Sequence, residues 1–149
     1  MEKDVVISIK GMQQYVDSDP DTIELVTAGR LHREGESYTL SYQESELTGL
    51  DGTLTTIQVE GEQVTLMRVG EFNAQMVFQQ GRRHLSMYNT PYGAMAIGVN
   101  TRRLLADLND QGGDIEIDYA IEVDHALAGH NIFRLNVRAA EQGGGSLKQ

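Results

Sequence analysis

The sequence predicts an all-β fold of about ten antiparallel strands. Three observations carry that expectation. From Asp114 to Asp124 the chain reads DIEIDYAIEVD, with Ile115, Ile117, Tyr119, Ile121 and Val123 at one parity and Asp114, Glu116, Asp118, Glu122 and Asp124 at the other. Successive side chains of a strand point to opposite faces, so only a strand gathers these apolar groups on one side. Weaker versions of the same period recur along nearly the whole chain, between turn signals spaced by about eight to twelve residues. No stretch reads as a convincing βαβ unit, which removes a parallel sheet from consideration.

The elements follow in order. Val5, Ile7 and Ile9 alternate up to Gly11, and the first strand ends near Tyr15, before the dense turn signal of Asp17, Ser18, Asp19, Pro20 and Asp21. Ile23, Leu25, Thr27, Gly29 and Leu31 form a second run, closed at Glu34-Gly35-Glu36, and Tyr38, Leu40 and Tyr42 begin a third. After a break at Gly49-Leu50-Asp51-Gly52 come Thr53 to Glu60, a tight Gly61-Glu62 turn, and Gln63 to Gly70. Phe72 to Gln79 and His84 to Thr90 flank a turn around Gln80-Gly81.

The interval 100–113 admits two readings. Thr101 could cap a short helix carrying Leu104, Leu105 and Leu108 and ending at Gly112-Gly113. The alternation of Ile97, Val99, Thr101, Arg103 and Leu105 favours instead a long strand from about Gly93 to Asp107. The DIEIDYAIEVD strand and a last strand from Asn131 to Ala139 close the series, joined by Ala126-Leu127-Ala128-Gly129. A Gly-rich stretch, 141–149, then reads as a flexible tail. A single sheet of this many strands curls, and closure removes its edges, so residues 1–140 are expected to form one up-and-down barrel, with a two-sheet sandwich as the alternative.

Bulk composition bounds function by exclusion. A chain of 149 residues buries a core large enough to need no metal or disulfide, and the absence of cysteine removes thiol catalysis and thiolate metal sites. The opening MEKDVVISIK enters strand alternation directly, with no apolar leader, and no membrane-spanning run follows; a cytoplasmic location is expected. A formal charge of −10 argues against nucleic acid and against anionic membrane surfaces. Arg82/Arg83 and Arg102/Arg103 are the close basic pairs, and both fall where turns or strand ends are expected.

A few residues carry possible chemistry. Tyr38, Leu40, Tyr42, Glu44 and Glu46 share one parity, so two carboxylates prolong an apolar stripe. If the stripe points inward, a buried carboxylate needs a cation or hydrogen-bond donors, and Arg68, which follows Val64 and Leu66, is the candidate. Thr65, Met67 and Val69 form an equally plausible inner face, which would turn Arg68 outward. Arg68 is thus open to three readings: a structural ion pair with Glu44, a surface charge, or a ligand anchor. Tyr88, Thr90 and Tyr92 share parity around Pro91 and Gly93, either as ligand contacts or as a strand bend. His125 and His130 flank the expected ALAG hairpin beside Asp124, but zinc would require further ligands, so no metal is assigned. Ser45 and Ser86 have no triad around them, and no residue is assigned as catalytic.

YQESELTGLDGTLT from Tyr42 to Thr55, MRVG from Met67 to Gly70, and YNTPYG from Tyr88 to Gly93 together resemble the bacterial YwiB-like family, a domain of unknown function. The resemblance implies a calycin-type, lipocalin-like barrel of a Gram-positive bacterium with no established activity, and it favours the strand reading of Arg102 to Asp107. Two departures separate the chain from better-understood barrels of that type: it has no tryptophan, and only Val16 to Asp21 stands where a helical lid would be. The functional expectation is a small amphipathic or anionic ligand inside the barrel, contacted by Tyr42, Glu44, Glu46, Arg68, Tyr88, Thr90 and Tyr92, with no cofactor. One alternative is an interaction or structural module with a packed barrel, including a homodimer. Another is an enzyme using Glu44 and Glu46, about seven ångströms apart on a strand, with Arg68.

Overall fold

The structure, a computed structural model, describes residues 1–71, 73–90, 93–123 and 126–140, and for 87–90 it describes the backbone alone. Ten strands occur: β1 (Glu2–Tyr15), β2 (Asp21–Glu34), β3 (Ser37–Gln43), β4 (Thr53–Glu60), β5 (Gln63–Gly70), β6 (Asn73–Gln79), β7 (Arg83–Thr90), β8 (Gly93–Asn109), β9 (Gly112–Val123) and β10 (Ala126–Ala139). Each pairs antiparallel with its neighbours in sequence, and β1 pairs with both β2 and β10, so the meander closes into a barrel. That closure excludes the sandwich. One 3₁₀ turn, Glu46–Thr48, is the sole helical element among the described residues, and no helix is long and apolar enough to cross a membrane.

The period of two in the sequence becomes an inside and an outside. Val5, Ile7 and Ile9 of β1, Leu31 of β2, Leu40 and Tyr42 of β3, Ile57 and Val59 of β4, and Val64 and Leu66 of β5 point inward. They meet Phe78, Val99, Ile115, Ile117, Leu135 and Val137 from the other strands in one cluster. Burying each such side chain contributes roughly 1.5–3 kcal/mol before chain entropy is counted. The Phe78 and Tyr119 rings meet with centroids 4.8 Å apart and planes tilted by 59°, a favourable aromatic geometry. Gly29 makes the tight spacing of β1, β2 and β3 possible, because a Cβ there would lie 2.5 Å from Ile7 Cδ1 and 2.7 Å from the Ser41 carbonyl oxygen.

Residues 102–109 continue β8 as a strand, with a register shift between Thr101 and Arg103 against β9. The extra residue moves the inward parity from Thr101 to Leu104, Ala106 and Leu108, which explains why three leucines there imitate a helical spacing. Ala126 to Gly129 is not the hairpin loop that the sequence suggests. Ala126 already pairs with Val123, and Gly129 with Ile121, across a second register shift at Leu127/Gly129. The small residues absorb the irregularity within β10. Asp124 and His125 of the histidine reading lie outside the described residues.

The acidic face of β9 is less bare than its sequence suggests. Glu116 lies 3.6 Å from Arg134, Glu122 2.9 Å from Arg83, and Asp118 contacts His130. Asp114 accepts from Asn136 at 2.9 Å. At one end of the barrel, the Asp110 carboxylate of the β8–β9 turn accepts from Arg33 at 2.9 Å and from the Tyr38 hydroxyl at 3.0 Å, tying two hairpins together. The opposite end stays open.

Candidate functional site at the open end of the barrel

The open end begins where β3 stops. Pairing between β2 and β3 runs only from Glu34↔Ser37 to Arg30↔Ser41, after which the chain leaves the sheet at Gln43 and turns through Glu46–Thr48. Ser45 caps that turn, its Oγ accepting from the Leu47 amide, and Gly49 ends it in the left-handed region at φ 75°. The inner side of β2 from Asp21 to Leu25 is therefore left without a β3 neighbour. A cavity of about 500 Å³ opens there, with Ile9, Leu25, Met76, Ile97, Ile121 and Phe133 in its wall.

Polar groups enter this apolar cavity at one place. Glu44, the residue after β3, keeps the inward parity of Leu40 and Tyr42, and its side chain is 2% exposed. Its carboxylate accepts from the Thr55 hydroxyl at 2.5 Å and from the Thr48 hydroxyl at 3.0 Å, so both oxygens are engaged. Arg68 lies on the inner face of β5 with Val64 and Leu66, which resolves the ambiguity of parity: Met67 and Val69 are exposed. Its side chain is 20% exposed, and Nε lies 3.9 Å from Glu44 Oε2, attractive in charge but beyond hydrogen-bond reach. Nε is buried and, among the described residues, has no hydrogen-bond partner.

Two tyrosines border the pair. Burial, then the neighbouring Glu44 carboxylate, pushes the Tyr42 hydroxyl far above the ordinary tyrosine range, and the Arg68 charge only partly opposes this. Tyr119 is also raised, chiefly by burial, against the opposing pull of Asn131 and Arg68; its hydroxyl accepts from Asn131 Nδ2 at 3.1 Å. Both hydroxyls therefore stay protonated and neutral through the physiological range. The cluster combines one carboxylate held by two hydroxyl donors, one guanidinium with an unused donor, and neutral phenols against an apolar wall.

Of the residues singled out from sequence, Tyr42, Glu44 and Arg68 come together. Glu46 does not: strand parity ends at Gln43, and Glu46 opens the 3₁₀ turn with its side chain exposed. The carboxylate pair required for acid and base roles is thereby taken apart. Tyr92 lies outside the described residues, as do the side chains of Tyr88 and Thr90. Sequence reasoning missed Thr48, Thr55 and Asn131. Thr55 had a legible signal, since it shares the inward parity of Ile57 and Val59, and Asn131 likewise shares that of Phe133 and Leu135. Thr48 had none, because a turn fixes its direction.

A broader depression of about 600 Å³ lies on the outer face of the barrel. Its basic residues are already paired, Lys10 with Glu24 at 3.4 Å and Arg134 with Glu116, so they offer no waiting cation comparable to Arg68. Among the described residues no group of three or more His, Cys, Asp or Glu side chains is placed to hold a metal ion.

A family model described as a domain of unknown function, DUF1934, matches residues 7–135. The chain belongs to this family. The DUF1934 match reaches from β1 to β10 and includes Tyr42, Glu44, Thr48, Thr55, Arg68, Tyr119 and Asn131. The chain is 28% identical over 107 residues to the uncharacterized β-barrel protein YwiB of Bacillus subtilis (strain 168), covering 72% of this chain and 74% of that relative. The crystal structure of the ywiB protein from Bacillus subtilis has a TM-score of 0.82 to this DUF1934 barrel, with 94% of each chain covered at 21% identity, a likeness of fold.

Proposed function

We propose that this DUF1934 barrel binds a small amphipathic molecule in its open end, with an anionic or strongly hydrogen-bond-accepting head at Arg68 and an apolar body along Leu25, Ile97, Ile121 and Phe133. The observation that carries the reading is the buried Nε of Arg68, which has no partner among the described residues, inside a cavity of about 500 Å³. A buried donor without a partner costs about 1–3 kcal/mol, which a ligand acceptor recovers. Glu44 does not supply that acceptor, because its Oε2 lies 3.9 Å from Nε, beyond hydrogen-bond reach. Arg68 also has no cationic competitor in these stretches of sequence: 16–20, 44–52 and 70–73 contain Asp17, Asp19, Glu44, Glu46, Asp51 and Glu71 and no Lys or Arg. A planar guanidinium among apolar walls presents a fork of donors that matches a carboxylate, the arrangement of a few polar groups in an apolar pocket that orients a ligand.

Thermal unfolding in the presence of decanoate, decanol and decylamine tests this. Decanoate is expected to raise the midpoint most and decylamine least. Equal shifts from all three, or none from decanoate, would remove Arg68 as an anchor.

A further inference from the structure

Strand β8 outruns its neighbour. β7 pairs with β8 only from Arg83↔Asn100 to Thr90↔Gly93, whereas β9 accompanies β8 to Asn109↔Gly112. Among the described residues, one side of β8 from Arg102 to Asn109 therefore has no partner strand. The edge is partly blunted, since the Gln80 side chain accepts from the Leu104 amide at 2.9 Å. That bond also fixes which residues face outward along the sheet: Leu104, Ala106 and Leu108 aim their backbone groups at the open edge, and Arg103, Leu105 and Asp107 aim theirs at β9. A trough bounded by Gly61, Glu62, Gln79 and Arg82 runs beside Leu104 and Ala106.

The side chains on this edge carry an unsettled charge pattern. Asp107 stands directly opposite Asp114 in the β8–β9 register, a like-charge pair that destabilises a sheet. Among the described residues neither Arg103 nor Asp107 has an ion-pair partner. Leu105, between them, is 45% exposed.

We infer that this edge pairs with the same edge of a second copy, antiparallel and centred on Leu105. That register places Leu105 against its own symmetry mate, and Arg103 of each copy against Asp107 of the other, on one face of the extended sheet. It also sets Leu104 opposite Ala106, the residues whose N–H and C=O groups point outward, so that these exchange backbone hydrogen bonds once Gln80 releases the Leu104 amide. A two-fold interface must be self-complementary, and the run Arg-Leu-Leu-Ala-Asp satisfies this with opposite charges equidistant from an apolar centre. Each Asp107 then gains a cation that offsets the charge of Asp114. The interface lies on the wall of the barrel rather than at the ligand cavity, so it stands or falls independently of ligand binding.

Sedimentation equilibrium on the full chain, up to millimolar protein, tests the inference with R103D, D107R and the double variant. All of these changes are on exposed positions, and circular dichroism verifies that each variant folds. The wild-type chain is expected to dimerise, and each single reversal, which creates two like-charge contacts per dimer, is expected to weaken dimerisation by about tenfold or more. The double variant exchanges the charges within the same register and is expected to restore the dimer. A wild-type chain that stays monomeric would overturn the inference, leaving the edge unpaired or reserved for a different protein. A dimer indifferent to both reversals, or one that the double variant fails to restore, would overturn it as well.

Discussion

The two halves of this barrel are built from the same alternating strands and end in opposite conditions. In the closed half, Ile7, Leu31, Leu40, Ile57, Val64, Phe78, Val99 and Ile117 are almost fully buried, and the Asp110 latch draws two hairpins together. In the open half the same inward parity continues through Leu25, Tyr119, Ile121 and Phe133, but these are only partly buried. The difference comes from one departure of the chain. β3 leaves the sheet after Gln43, β2 loses its neighbour, and the interior there keeps about 500 Å³ unfilled. Close packing gives stability where strands are fully paired, and an early exit from the sheet leaves room for a ligand.

Substitutions that treat the halves differently probe this contrast. Phe78→Ala is expected to have the largest effect, about 3–5 kcal/mol of lost stability in urea unfolding, because the closed half cannot collapse around the hole. Glu44→Ala is expected to cost about 1–3 kcal/mol by leaving the buried Thr55 hydroxyl without its acceptor, while Thr48 keeps the Ser45 carbonyl, and Glu44→Gln less, because an amide oxygen still accepts. Ile121→Ala is expected to cost under about 1.5 kcal/mol, since a wall already facing empty space loses fewer contacts. A cost for Ile121→Ala as large as that of Phe78→Ala would show that both halves are packed alike.

The smallest effect concerns alkaline pH. Tyr42 titrates near pH 10 in the unfolded chain and well above that in the folded barrel. The unfolded state therefore loses protons first, and the associated stability, fully present below about pH 10, is lost as pH rises toward the folded-state value. Tyr119 acts in the same direction. Tyr42→Phe is expected to flatten the fall in unfolding free energy between about pH 9 and 11, and an unchanged slope would place the phenol in contact with water.

The closed half was legible in the sequence because alternation, turn residues and burial agree there: Val5 to Ile7, Ile57 to Val59 and Ile115 to Ile117 read as they fold. Arg68 was legible as a residue but not as a direction. Both parities of Gln63 to Gly70 are apolar enough to face inward, and only pairing of β5 with β4 and β6 decides between them. Glu46 misled for the opposite reason, because parity is meaningful only while the strand lasts and nothing before Gly49 announces the end of β3. The bulges at Thr101/Arg103 and Leu127/Gly129 were hidden in the same way, since one unpaired residue shifts the period without changing composition.

The central claim is that Arg68 makes the unfilled half a binding site for an acid head. Isothermal titration calorimetry of decanoate and decanol against the wild-type chain and Arg68→Met measures this directly. The barrel is expected to bind decanoate more tightly than decanol, and Arg68→Met to lose about tenfold or more of the decanoate affinity while decanol binding stays nearly unchanged. Equal losses for the two ligands, or decanoate binding that survives Arg68→Met, would contradict the account.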